Sequence, residues 1–164
     1  MLLPESMGMR ARRLLLPIDL ERCPPEVFPL SRRLIDPSAG DIILLNVLDR
    51  RPGSIPPAAS TALLLLAGLG RDHLDDGFAW RSSVREGVPH EEILAEAVVS
   101  EVDLILLPIP CQSLWRRMLG SGYGRTTLGL VSGAPCRVFV VDVRKRVNCL
   151  RQRLLWAPAA SGIC

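Results

Sequence analysis

The chain has 164 residues, enough for one domain with a substantial core and too few for two comfortable ones. Its apolar fraction of 48% comes mainly from Leu, Val, Ile and Ala, with only 4% aromatic residues; that balance suits parallel strands covered by helices and excludes disorder over most of the length. The net charge of +3 rests on 19 arginines and one lysine, Lys145, with acidic residues interspersed and no arginine stripe alternating with aromatics, so a nucleic-acid footprint is absent.

The cysteines Cys23, Cys111, Cys136, Cys149 and Cys164 form no C-x-x-C pair, and only His73 and His90 could join them as soft ligands. A zinc or redox centre is therefore disfavoured. Residues 1–11 carry no long apolar run, and Leu63–Leu66 is too short to cross a bilayer before Arg71, Asp72 and His73 follow. The expectation is a chain with no membrane span in a reducing, cytoplasmic setting.

In chain order, the first apolar run, Leu14 to Ile18, is continuous rather than alternating, the mark of a strand buried on both faces. A helix is expected over Pro25 to Ile35, with Val27, Leu30 and Leu34 at helical spacing and Pro29 shortening or kinking it. Ile42 to Leu48 is a second buried strand. Ala58 to Leu74 reads as a leucine-rich helix weakened by Gly68 and Gly70. Phe78 to Val84 alternates more and suits a sheet edge. His90 to Val102 then follows Pro89 as a helix with Glu91 and Glu92 favourably placed in its first turn and Ile93, Ala97 and Val98 on one face. Leu104 to Leu107 and Val138 to Val141 are further buried strands, separated by a helix over Gly120 to Val131 that ends at Ser132-Gly133.

Strands and helices thus alternate with short connections, which predicts right-handed crossovers and a doubly wound parallel sheet. Ligands of such sheets bind beyond the carboxyl ends of the strands, where the winding reverses. Interest falls on Asp19, on Asn46-Val47 and on the loop from Pro108 to Ser121. Beyond Asp142 the chain changes character: Arg144, Lys145, Arg146, Arg151 and Arg153 interleave with Val147, Leu150 and Leu154 as in a basic amphipathic helix. Such a tail reads as a helix docked on its own dimer or as a docking element for a membrane surface or protein partner.

A carboxylate at Asp19, ending the first strand, can accept hydrogen bonds from a ligand's amine or hydroxyl; it can equally cap the segment that follows. The stretch Leu119-Gly120-Ser121-Gly122-Tyr123-Gly124-Arg125 opens a helix with small residues, whose free N–H groups and Ser121 hydroxyl could hold an anion. It matches neither a Walker loop, a dinucleotide G-x-G-x-x-G nor a nucleophile elbow. Cys111, in the same loop, reads as a small apolar filler or a redox-sensitive thiol. The sequence offers no credibly spaced general acid–base pair, metal cluster or activated nucleophile.

The runs Leu14-Leu15-Leu16-Pro17-Ile18-Asp19, Leu44-Leu45-Asn46-Val47, Val84-Arg85-Glu86-Gly87-Val88-Pro89, Asp103-Leu104-Ile105-Leu106-Leu107, Gly120-Ser121 and Ala134-Pro135-Cys136-Arg137-Val138-Phe139-Val140-Val141 follow one another as in the universal stress protein family, which the chain resembles over roughly residues 12–142. The resemblance implies an α/β, adenine-nucleotide alpha-hydrolase-like fold with a five-stranded parallel sheet in the order 3-2-1-4-5. It also implies a homodimer through the last strand, at Val138 and Val140. It divides the chain into an N-terminal extension 1–11, a universal stress protein-like domain 12–143 and the tail 144–164. In nucleotide-binding members, positions similar to Asp19 and Val47 meet the adenine, and positions similar to Gly120, Ser121 and Gly122 meet phosphates.

The family's phosphate loop reads Gly, two residues, Gly, nine residues, Gly-Ser. Counting back from Gly120 puts Leu107 and Pro110 at the first two glycines; anchoring on Asp103-Leu104 puts Pro108 and Cys111 there instead. Either way both glycines are lost. Proline has no N–H and a fixed φ, so the backbone cannot cradle phosphates as glycine does. Losing two or three charge-assisted hydrogen bonds of about 1.5–3 kcal/mol each would lower triphosphate affinity by several powers of ten. Arg116 and Arg117 could offset part of that loss, or form a solvated surface pair.

Three functions are consistent with these residues. The first is a non-catalytic stress or signalling module, requiring no cofactor, with lost or weakened ATP binding. The second is an adenine-nucleotide sensor or weak ATPase binding ATP or AMP through Asp19, Val47, Gly120 and Ser121. The third is a cytoplasmic regulator docked on a membrane protein through the tail.

Overall fold

The computed structural model describes residues 10–21, 23–49, 55–75, 77–109 and 133–142. Its elements run β1 (Arg13–Pro17), α1 (Val27–Leu34), β2 (Asp41–Leu48), α2 (Ala59–Leu74), β3 (Ala79–Glu86), α3 (Pro89–Val99), β4 (Leu104–Ile109) and β5 (Arg137–Asp142). The five strands form one sheet in the order β3-β2-β1-β4-β5, and every described pairing is parallel. The expected doubly wound order and the edge position of β3 are both present, whereas Val138–Val141, expected as a strand buried on both faces, lies at the other edge with Val138, Phe139 and Val140 half-buried. The helix expected over Gly120 to Val131 and the basic tail lie outside the described residues.

Period-2 geometry sends alternate side chains of each strand to opposite faces. Leu14, Leu16, Ile42, Leu44, Leu104 and Leu106 enter one core with Val27 and Phe28 of α1 and Leu66 and Leu74 of α2. Leu15, Ile43, Leu45 and Ile105 enter the other with Ile93 and Ala97 of α3. Both faces of the central strands are filled, which is why their sequences are continuous apolar runs.

Several boundaries differ from expectation for local reasons. α1 starts at Val27, so Pro29 sits in its first turn, where a missing N–H leaves no intrahelical bond unmade. Its deepest residues are Val27, Phe28 and Ser31, and the buried Ser31 hydroxyl donates to the Phe28 carbonyl at 2.8 Å. β4 continues through Pro108 and Ile109, paired with Val141 and Asp142, where a loop was expected from residue 108.

The α3 helix ends earlier than expected. Glu101 adopts φ 49°, and the Val102 and Glu101 N–H groups reach back to the Ala97 and Val98 carbonyls at 2.9 and 3.2 Å. This is a Schellman ending with glutamate in the left-handed position usually given to glycine, and the buried Ala97 and Val102 pack in one cluster beneath it. Val98, expected on the inner face, is 61% exposed. The inward stripe is Ile93, Glu96, Ala97 and Ser100, so a buried carboxylate occupies the place that hydrophobicity alone would assign to a valine.

Gly70, expected to weaken α2, has a packing role. A Cβ at this position would clash with the six-membered ring of Trp80 on β3, whereas a Cβ at Gly68 would meet nothing within 4 Å. The Trp80 indole N–H is held by Asp75 Oδ1 at 2.9 Å.

Candidate functional site

The order β3-β2-β1-β4-β5 puts the reversal of winding between β1 and β4, so the expected crevice lies beyond the carboxyl ends of these strands. β1 pairs with β2 through Pro17↔Leu45, and β4 with β5 through Ile109↔Asp142, but the β1–β4 ladder stops at Leu15↔Ile105. The cause is readable in the chain. Arg12 accepts from the Asp41 N–H and Ile18 donates to Leu45 on the β2 side, while Arg13 accepts from the Asp103 N–H on the β4 side. By that alternation residue 17 faces β4, and a proline there has no N–H to continue the ladder.

Asp19 lies just past this point, half-buried, and its Oδ1 accepts the Glu21 N–H at 3.0 Å. The carboxylate therefore closes its own turn and does not cap α1, whose N-cap residue is Glu26 with no side-chain cap. Among the described residues, that turn bond is the one hydrogen bond given to the carboxylate, leaving Oδ2 available. Val47 is half-buried and packs against the Leu15–Ile43–Leu45 cluster, so it offers an apolar wall at the same end of the sheet. Between them Asn46, 7% exposed, donates from Nδ2 to the Ile18 carbonyl at 2.8 Å.

Pro108 is a half-buried residue of β4 in register with Val141, one step before the strand ends. By the same alternation, set by the Asp103 N–H pointing at β1, residue 108 faces β5; its proline subtracts a donor from that ladder and from the carboxyl edge. Cys111, Gly120, Ser121 and Gly122, with Arg116 and Arg117, lie outside the described residues. The structure thus brings Asp19 and Val47 to one edge, with Pro108 at the end of the neighbouring β4.

A second polar assembly was not foreseen. Arg85 of β3 donates from Nε to Glu92 Oε2 at 2.6 Å and from a terminal nitrogen to Glu96 Oε2 at 3.2 Å. The Ser100 hydroxyl donates to Glu96 Oε1 at 2.7 Å and accepts from Arg81 at 2.7 Å, and Arg13 donates to the Ser100 carbonyl at 2.7 Å. The Glu92 hydrogen bond above all keeps the Arg85 guanidinium protonated. These bonds clamp α3 onto the edge strand. The only signal in the sequence is a pair of arginines four residues apart, hence on one face of β3, and a pair of glutamates one helical turn apart on α3.

Neither described cysteine is an activated thiol. Burial, with Asp19 nearby, pushes Cys23 up to about 11, and burial, with Asp103 nearby, does the same to Cys136. Among the described residues no group of three or more potential ligands could hold a metal ion, and no helix is long and apolar enough to cross a membrane.

No family model matches the sequence, and no curated protein does. Solved structures do. Hypothetical protein MJ0577, the subject of a structure-based assignment of biochemical function, superposes with a TM-score of 0.60 at 21% identity, over 83% of this chain and 98% of that one. A universal stress protein in complex with cAMP gives 0.58 at 11% identity, over 81% and 98%. A universal stress protein family protein of Arabidopsis thaliana with AMP bound gives 0.51 at 16% identity, over 79% and 90%. The chain has the fold of the universal stress proteins, a five-stranded parallel sheet in the order 3-2-1-4-5 with flanking helices.

Proposed function

We propose that the chain is a universal stress protein-like, non-catalytic signalling module, its domain spanning 12–143, that keeps the adenosine side of the family crevice and holds a triphosphate weakly or not at all. The observation that carries this reading is Pro108: it sits on β4 at the carboxyl edge, where one of the two alignments with the family pattern puts a glycine, and its ring bars the close approach of backbone to phosphate that a glycine allows. Asp19 and Val47 supply the other half, an acceptor beside an apolar wall, which suits an exocyclic amine on a flat ring. Neighbours of the same fold were solved with AMP and with cAMP, both monophosphates. A homodimer through β5, at Val138 and Val140, is consistent with that strand being an edge of the described sheet.

The test is calorimetric titration with adenosine, AMP and ATP–magnesium, alongside analysis of nucleotide released on denaturation. Affinity that does not rise from AMP to ATP is expected. Sub-micromolar ATP binding or ATP co-purifying at stoichiometry would refute the reading and favour a nucleotide sensor or weak ATPase instead.

A further inference from the structure

We infer that Asn46 is a positioning residue that fixes Asp19 in the crevice. This rests on the reading of Asp19 and Val47 as the adenosine side of the site. β1 and β2 pair in steps of two: the Asp41 N–H reaches the Arg12 carbonyl, and the Ile18 N–H reaches the Leu45 carbonyl at 2.7 Å. Continued by the same step, the next main-chain donor to the Ile18 carbonyl would be Val47. Pairing instead ends at Pro17↔Leu45, and the Asn46 side chain takes that carbonyl from Nδ2 at 2.8 Å.

The peptide joining Ile18 to Asp19 is therefore held at its carbonyl by a side chain, immediately after the Ile18 N–H is held by the sheet. Asp19 leaves this fixed peptide, and its Oδ1 is turned inward onto the Glu21 N–H at 3.0 Å. Two anchors, one on each side of the Asp19 Cα, set where the second oxygen points. Asn46 is 7% exposed, so water cannot readily take over its bond to Ile18. It also adjoins Val47 in the chain, so one residue sets the spacing between the acceptor and the apolar wall.

The experiment is AMP titration by calorimetry on the full chain and on Asp19→Ala, Asn46→Leu, Asn46→Asp and the double variant Asp19→Ala/Asn46→Leu, each at a temperature well below its melting midpoint. Asn46→Leu keeps the approximate shape without a donor; Asn46→Asp keeps the shape and sets an acceptor against the Ile18 carbonyl. Each single Asn46 variant is expected to weaken AMP binding at least tenfold, and the double variant to bind no more weakly than Asp19→Ala alone. A merely structural asparagine would lower the melting midpoint and leave affinity, or its additivity with Asp19→Ala, untouched. As a check needing no substitution, AMP should shift the Asn46 side-chain amide resonances together with the Asp19 backbone amide in the unaltered protein.

If the unaltered chain binds neither adenosine nor AMP, the adenosine reading fails and this inference with it. If Asp19→Ala abolishes binding while folded Asn46 variants bind normally, or if AMP shifts Asp19 and leaves the Asn46 amide unmoved, the inference alone is overturned.

Discussion

Two glycines, two residues apart on one helix, should respond to alanine with opposite signs. Gly68 and Gly70 both lie in the interior of α2, where replacing glycine by alanine ordinarily stabilises by about 0.5–1 kcal/mol through lost unfolded-state freedom. At Gly68 a methyl group meets nothing within 4 Å, so that full gain is expected. At Gly70 the methyl would clash with the Trp80 ring. The ring is tied to Asp75 by its N–H and backed by the core, so it cannot simply rotate away, and overpacking of this kind costs roughly 1–3 kcal/mol. Against the propensity gain, Gly70→Ala should lose on the order of 1–2 kcal/mol. With a urea slope of about 1–3 kcal/mol per molar, the midpoint followed by far-ultraviolet circular dichroism should fall for Gly70→Ala and rise for Gly68→Ala. A rise for both would refute the seating of Trp80 on the glycine.

Other outcomes follow from the same packing and polar contacts. Glu96→Ala removes a buried acceptor serving Arg85, Arg81 and Ser100; because the arginines are 30% and 46% exposed and can turn to water, a loss of about 1–3 kcal/mol is expected in urea titration. Glu101→Gly relieves a left-handed glutamate at φ 49° and should raise stability by up to about 1 kcal/mol, read as a higher melting midpoint; a fall would contradict the Schellman ending. Cys23 and Cys136, with thiols pushed to about 11, should react with iodoacetamide at pH 8 roughly a hundredfold more slowly in the native protein than after denaturation. Because both values lie above those of the unfolded chain, their contribution to stability is complete below about pH 8.5 and is lost as pH rises toward 11. Alkaline unfolding should therefore begin in that window and be eased when the two positions carry serine.

Much of the architecture is legible in the chain because it depends on local, one-dimensional patterns. Leu14–Ile18 and Ile42–Leu48 are apolar without alternation because both of their faces meet helices, and the more mixed β3 is an edge. Asp19 could be singled out because it follows the first such run, and Pro108 because one of the two alignments with the family's loop puts a glycine there. What could not be read are pairings between residues far apart in sequence. Glu96 looks like a surface glutamate until Arg85, Arg81 and Ser100 converge on it. Gly70 looks like a defect until Trp80 is laid over it. Asp19 was ambiguous between ligand and cap, and only the Glu21 N–H shows that it closes its own turn. Asn46 drew attention by its place, but its bond to Ile18 spans 28 residues. Hydrophobic periodicity records which face of an element is buried; it carries no record of which polar groups meet there, since desolvation must be compensated by a partner that folding alone brings near.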